Sequence, residues 1–310
     1  TPPAPASSPR LTAALKRRTA CEPPKIRTVG ASTAVAVAVI AVLSVLGGAV
    51  APWAYATFVD TSAKDRIEAD PPPRLFRDAD IAPIGRQIDQ QDQAAQRLMA
   101  GWWSAHGAKA HDADFVVWLE HELPGPPGAS DRSAEIRGVQ ALAKTRTDAG
   151  VVAATWLEDH GKKDVWKLAA HDQAEMLAPG AGDAVKNDVD AALSMAKQVA
   201  DDLGAKYQQS APYVVDPSLR PDHTVADGQV CPCSYPSRHA AVGAAAYTYL
   251  SRLSPHRADD YRWTEDEIAW SRIYMAGHVP SDITGGALLG DMIGEYLLVT
   301  RGRMAEPAFS

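Results

Sequence analysis

From Ile84 onward apolar residues recur at helical spacing and show no convincing alternation, so the pattern predicts a series of helices and no sheet. Ile84 to His106, Asp112 to Glu122, Ser130 to Thr145 and Asp148 to His160 read as the first four. The run Pro124-Gly125-Pro126-Pro127-Gly128 stops the second of them. Lys163 to Leu177 and Asp183 to Leu203 continue the series, with Asp183 suited to a helix N-terminus and Gly204 to a stop. A Pro-rich loop then runs from Lys206 through Gln229, and further helices are expected at about 236–253, 264–277 and 280–299. Trp102, Trp103, Trp118, Trp156 and Trp166 fall within these patterns as core positions. The expected fold is all-α, a helical bundle.

Before Ile84 the pattern is of another kind. Thr28 to Val59 carries no charge, and its centre, Thr33 to Leu46, is almost wholly Ala, Val, Leu and Ile, long enough to span a bilayer. Lys16, Arg17, Arg18, Lys25 and Arg27 precede it, while Asp60, Lys64, Asp65 and Glu68 follow, so the positive-inside bias puts the N-terminus in the cytoplasm. Ala49-Val-Ala51 and Ala54-Tyr-Ala56 resemble cleavage sites, which leaves a signal segment as the rival of an uncleaved anchor. The chain therefore divides into a disordered basic tail over residues 1–27, an anchor or signal segment over 28–59, a linker containing Pro71-Pro72-Pro73 over 60–83, and an all-α domain over 84–310. Its expected place is the cell membrane, single-pass with the domain extracytoplasmic, or outside the cell if the segment is cleaved.

A net charge of −7 over 310 residues excludes a nucleic-acid partner that needs a basic face. Of three cysteines, Cys21 precedes the uncharged run, and Cys231 and Cys233 lie beyond it. In an oxidising compartment the latter two either bridge or remain thiols or cross-chain partners.

Candidate chemistry concentrates near the C-terminus. Ser271-Arg272 is followed by His278 and Asp282, and upstream stands Tyr235-Pro236-Ser237-Arg238-His239. Pro236 and Pro280 both precede helical stretches and suit a first turn, which sets His239 and Asp282 at two helix mouths, where unpaired N–H groups favour phosphate. Arg272 supplies a permanent bidentate charge. Phosphoryl transfer further needs a nucleophile and a proton for the leaving oxygen. His278 is the nucleophile candidate, because Asp282 is placed to accept its ring N–H and fix its tautomer; His239 is left as general acid. His111, His121, His160 and His171 show no partner spacing. No His-Glu-x-x-His and no Gly-x4-Gly-Lys pattern is present, and neither Cys231 nor Cys233 is separated from an arginine by the five residues that a cysteine phosphatase would need.

These residues resemble the type 2 phosphatidic acid phosphatase (PAP2) and vanadium haloperoxidase superfamily, whose second motif is Pro-Ser-x-His and whose third is Ser-Arg, five residues, His, three residues, Asp. The motif region here is 206–299. The resemblance implies a metal-independent phosphatase that forms a phosphohistidine on His278, with Asp282 orienting it and His239 as acid, and with Arg272, Ser237, Ser271 and Arg238 around the phosphate. Arg238 stands where relatives often have glycine. The first motif of the family, Lys, six residues, Arg-Pro, is stretched: thirteen residues separate Lys206 from Arg220-Pro221, and Ala211-Pro212 stands near where the pair is expected. Either Arg220 reaches the phosphate from a longer loop, or Arg238 compensates for it. No cofactor is implied for a phosphatase acting on a phosphorylated small molecule or a lipid or polyprenyl phosphate. Two other functions stay open, a vanadate-dependent haloperoxidase and a non-catalytic, membrane-anchored binder of a phosphorylated ligand.

Overall fold

The structure is a computed structural model that describes residues 62–304, and among these all regular structure is helical apart from an isolated bridge between Ser210 and Cys233. In chain order the helices are α1 (Ala63–Ala69), α2 (Asp78–His106), α3 (Asp112–Glu122), α4 (Ala129–Ala143), α5 (Asp148–His160), α6 (Asp164–Glu175), α7 (Pro179–Tyr207), the single turn α8 (Pro212–Val215), α9 (Arg238–Leu253), α10 (Ala258–Tyr274) and α11 (Pro280–Thr300). The all-α expectation holds.

The predicted helix from Asp183 to Leu203 opens earlier, with Pro179 in its first turn, and runs through Gly204 to Tyr207, where Gln208 in the left-handed region ends it, so neither Asp183 nor Gly204 bounds it. Two other departures lie in first turns that are polar. Helix α2 opens at Asp78, where Asp78 and Asp80 suit the positive helix end, whereas its apolar stripe begins only at Ile81 and Ile84. Helix α10 opens at Ala258 with Asp259 and Asp260 in its first turn, ahead of the predicted 264. Within the stretch read as a linker, Ser62 and Asp65 form a reciprocal capping box that starts α1, and Arg66 of α1 grips Asp164 with Nη2 at 2.6 Å. The uncharged run Thr28 to Val59 lies outside the described residues. Among those described, no helix is long and apolar enough to cross a membrane.

Helix α11 is the axis of the bundle, packed on α9, α2 and α7 and buried along most of its length. Phe115, Trp103 and Tyr296 make an aromatic stack on its C-terminal half, Phe115 and Tyr296 with ring centroids 3.9 Å apart. Against α9 the packing is much closer. A Cβ added at Gly286, Gly290 or Gly294 would come within 3.0 Å of Ser237, Ala240, Ala241, Ala244, Ala245 or Thr248. These contacts advance together along both helices, so α9 and α11 run parallel and start side by side. The backbone N–H of Ser237 donates to the Asp282 carbonyl at 2.8 Å, tying the two starts together. Two positive helix ends are thereby brought to one place.

Candidate active site

His239 is the second residue of α9, His278 sits in the loop before α11, and Asp282 closes the first turn of α11. Pro280 opens its helix as expected, but Pro236 does not: α9 starts at Arg238, with Ser237 as its N-cap. The peptide bond before Pro236 is cis, as is that before Pro232, and Cys231 and Cys233 form a disulfide in the same loop.

The ring of His278 is buried and its Nδ1–H donates to the Ser234 carbonyl at 2.8 Å. Asp282 Oδ2 lies 3.7 Å from the same nitrogen, so it contributes charge rather than the hydrogen bond the sequence led us to expect. The carbonyl fixes the tautomer instead, leaving Nε2 with the lone pair. Burial pushes the His278 pKa down, and the nearby Asp282 opposes this only in part. Asp282 itself is fully buried. Burial would raise its carboxyl, yet His278, Arg132 and the Val279 N–H outweigh that and hold it below the usual range.

Arg132, on α4, is a residue the sequence did not point to. Its Nη1 donates to Asp282 Oδ1 at 2.5 Å, and its Nη2 donates to the Ser234 hydroxyl at 2.7 Å and the Ser210 carbonyl at 2.9 Å. One guanidinium thus locks the carboxylate beside His278 to the loop that receives the His278 ring N–H. No motif spacing reveals it, because Arg132 precedes Asp282 by 150 residues.

A second buried guanidinium pair faces the histidines. Arg272, in the last turn of α10, and Arg220, in the loop after Pro217–Leu219, both reach the carboxylate of Glu158 on α5, at 3.1 Å and 3.3 Å respectively. Arg220 therefore reaches the site despite the stretched spacing. Lys206 does not, for its ammonium donates to the Glu120 carbonyl at 2.9 Å on an exposed surface. The Nε and Nη1 of Arg272 and the Nε of Arg220 are buried and find no acceptor among the described residues. Such orphaned donors are expensive unless an anion completes them. Burial would raise the Glu158 carboxyl, but Arg272, Arg220 and, more distantly, His223 hold it down as a carboxylate.

His239 Nε2–H donates to the backbone carbonyl of the same Glu158 at 3.1 Å, which leaves its Nδ1 free to exchange a proton. Burial, then the Arg272 charge, drives its pKa well below the ordinary histidine value, so both histidines are neutral in the free protein. The other predicted residues play local parts. Ser237 caps α9 through its hydroxyl, which accepts from the Ala240 N–H at 3.4 Å. Ser271 bonds back to the Ile268 carbonyl at 2.7 Å. Arg238 turns away to Asp201 on α7, at 3.3 Å.

The described residues contain no group of three His, Cys, Asp or Glu side chains able to hold a metal ion. What converges is two buried guanidiniums with unfilled N–H groups, two imidazoles held below the ordinary histidine pKa, and two helix starts. No curated protein matches the chain. Residues 204–303, which carry Arg220, both histidine motifs and all of α9 to α11, match the model of the PAP2 superfamily.

Proposed function

We propose that the protein is a phosphatase that hydrolyses a phosphomonoester through a phosphohistidine on His278, without a metal. The observation that carries this reading is the meeting of Arg272 and Arg220 over one carboxylate with three buried N–H groups still unfilled. An oxyanion with several acceptors fits that donor set, and a carboxylate already held there displays its preference for anions.

In this scheme His278 Nε2 attacks phosphorus, the ester P–O bond breaks, and the departing oxygen takes a proton from His239 Nδ1. Water then attacks the phosphohistidine as His239 takes the proton back, releasing phosphate and restoring His278. Arg132 keeps Asp282 ionised, and Asp282 stabilises positive charge on His278 as the bond to phosphorus forms. His239 must arrive protonated although its site disfavours that form. Each unit of negative charge on the bound phosphate offsets Arg272, so the proton enters with the substrate and acid conditions favour turnover. The uncharged run 28–59 and its charged flanks support an extracytoplasmic site for this chemistry.

Phosphate release from an aryl phosphate in the presence of EDTA tests the proposal. Wild type should turn over, and His278→Ala should lose at least about three orders of magnitude in kcat, since no other nucleophile stands at that position. Falling acid-side activity with rising pH should track His239 protonation. Equal rates in wild type and His278→Ala would sink the scheme.

A further inference from the structure

Arg238 does not enter the phosphate pocket, and its actual surroundings carry a second inference. It lines a cleft of about 520 Å³ between the α5–α6 turn, the middle of α7 and the start of α9, together with Lys162, Lys163, Lys167, Lys197 and Asp190. Five cations, from the α5–α6 turn, α6, α7 and α9, face two carboxylates. Asp190 pairs with Lys167 at 2.7 Å, while Asp201 is shared by Lys197 at 2.7 Å and Arg238 at 3.3 Å. Lys162 and Lys163 make no ion pair among the described residues. An excess of positive charge gathered in a concavity is unusual on a chain whose net charge is −7; like charges held together favour an anion that separates them.

The cleft adjoins the phosphate pocket on both of its walls. Arg238 immediately precedes His239, and neighbouring Cα atoms are about 3.8 Å apart. Lys162 follows Glu158 by about one helical turn. His239 Nε2 meets the Glu158 carbonyl at 3.1 Å, so the two stretches of chain that carry Arg238 and Lys162 come together beside Glu158, the carboxylate of the arginine pair. A single ligand of modest length therefore has reason to occupy both the cleft and the pocket.

Resting on the reading of the Arg272–Arg220 pocket as a phosphate site, we propose that the cleft is a second anion subsite, which binds a further phosphate or carboxylate of the same substrate. The substrate class is then a phosphomonoester that carries another anionic group at a fixed reach, and not a simple monoester. Lysines suit this task, because flexible point charges accept an anion whose geometry varies, while the arginine forks hold the reacting phosphate in one orientation.

A molecular ruler tests it on the full chain. Calorimetry would compare methylphosphonate with alkane-1,ω-bisphosphonates of increasing tether length at physiological ionic strength. A second subsite predicts a minimum in Kd at one length, at least about tenfold below methylphosphonate, since tethering turns the second contact into an intramolecular one. The triple variant Lys162→Gln, Lys163→Gln, Arg238→Gln should abolish that minimum and leave methylphosphonate binding within about twofold, its folding checked by circular dichroism. Methylphosphonate binding with a flat length series overturns the cleft proposal alone. Failure of methylphosphonate to bind wild type overturns the phosphate-pocket reading and the proposal with it. Retention on phosphatidylserine vesicles that depends on the same three residues, with a flat bisphosphonate series, would instead assign the cleft to a membrane surface and equally overturn a subsite for substrate.

Discussion

Two buried clusters in this bundle combine guanidinium and carboxylate in opposite proportions. In the candidate active site, Arg272 and Arg220 share Glu158, and the groups left without partners are donors. Across α2, α10 and α11, Arg262 alone serves Asp89, Asp92 and Glu265 at 3.3, 2.9 and 2.8 Å, with its guanidinium 3.8 Å over the Tyr247 ring. There the unpartnered atoms are acceptors: Asp92 Oδ1, Glu265 Oε1, Asp266 Oδ1 and Asp291 Oδ2. Burial is common to both. What differs is the sign of the unmet demand, since an excess of donors is relieved by an oxyanion, whereas an excess of carboxylates is relieved by protons. Burial raises Asp266 and Glu267 to about 7, and it raises Glu265 and Asp291 as well.

The strongest way to break the comparison is to delete the cation from each cluster. Arg262→Leu leaves several carboxyls without their counter-charge and should destabilise the fold by about 3–5 kcal/mol at pH 8. At pH 5, where Glu265 and Asp266 hold protons, the loss should shrink. Arg272→Leu should act chiefly on binding: it removes orphaned N–H groups and leaves Arg220 to serve Glu158, so its stability loss should be smaller than that of Arg262→Leu, while phosphate affinity falls roughly tenfold to a hundredfold. Denaturant melts at the two pH values, with calorimetry against inorganic phosphate, would check both. Equal stability losses in the two variants would erase the distinction.

Next in size is the pH dependence of stability itself. Asp266 and Glu267 have folded pKa values above their unfolded ones, so between about pH 4 and 7 the folded state binds more protons and stability declines as pH rises. Glu158, Asp164 and Asp282 are depressed in the folded state, so their contribution is complete above the unfolded carboxylate range and is lost as pH falls through their folded values. The two trends place the maximum of stability at mildly acid pH, around 4–5. Replacing Asp266 by Asn should flatten the alkaline side and leave the acid side alone, which a series of thermal melts from pH 3 to 9 would reveal.

How far the sequence foretold these clusters depends on where each residue's partner lies along the chain. Arg272, His278 and Asp282 share one short segment, and Pro-Ser-x-His marks His239, so local spacing made them readable. Helices ending in apolar stripes were readable too, as with Asp112–Glu122 and Asp148–His160, whose predicted bounds coincide with those observed. Arg132 and Glu158 were not, since each is an ordinary charged residue on an amphipathic helix until tertiary packing brings it to the site. The Gly286, Gly290 and Gly294 stripe was present in the sequence and is the signal that would have set α9 and α11 in close parallel contact. Arg238 illustrates the converse, a residue adjacent to a motif histidine whose side chain departs along another face of its helix.

Glu158→Gln sharpens the comparison within the candidate active site by removing the carboxylate that its two arginines share. A bound phosphate dianion and Glu158 are like charges served by the same pair of guanidiniums, so the amide should bind phosphate on the order of tenfold more tightly while keeping a hydrogen-bond acceptor for both arginines. The gain should be largest at neutral pH, where wild-type Glu158 is a carboxylate, and shrink as the pH falls. Weaker binding in the variant would mean that the carboxylate's chief part is to hold the arginines in place.

The smallest effect concerns Ser237, a motif residue for which the resemblance implies a hydrogen bond to phosphate. Its hydroxyl accepts from the Ala240 N–H, and its own N–H is spent on the Asp282 carbonyl, so in the free protein both groups hold helix starts together. Loss of an N-cap typically lowers stability by about 1 kcal/mol. Ser237→Ala should therefore lower the melting temperature by a few degrees, with phosphate affinity changed by no more than about threefold. Should affinity fall tenfold or more while the melting temperature holds, the hydroxyl leaves its cap for the ligand, and the donor excess that distinguishes this cluster from the Arg262 cluster extends beyond its two arginines.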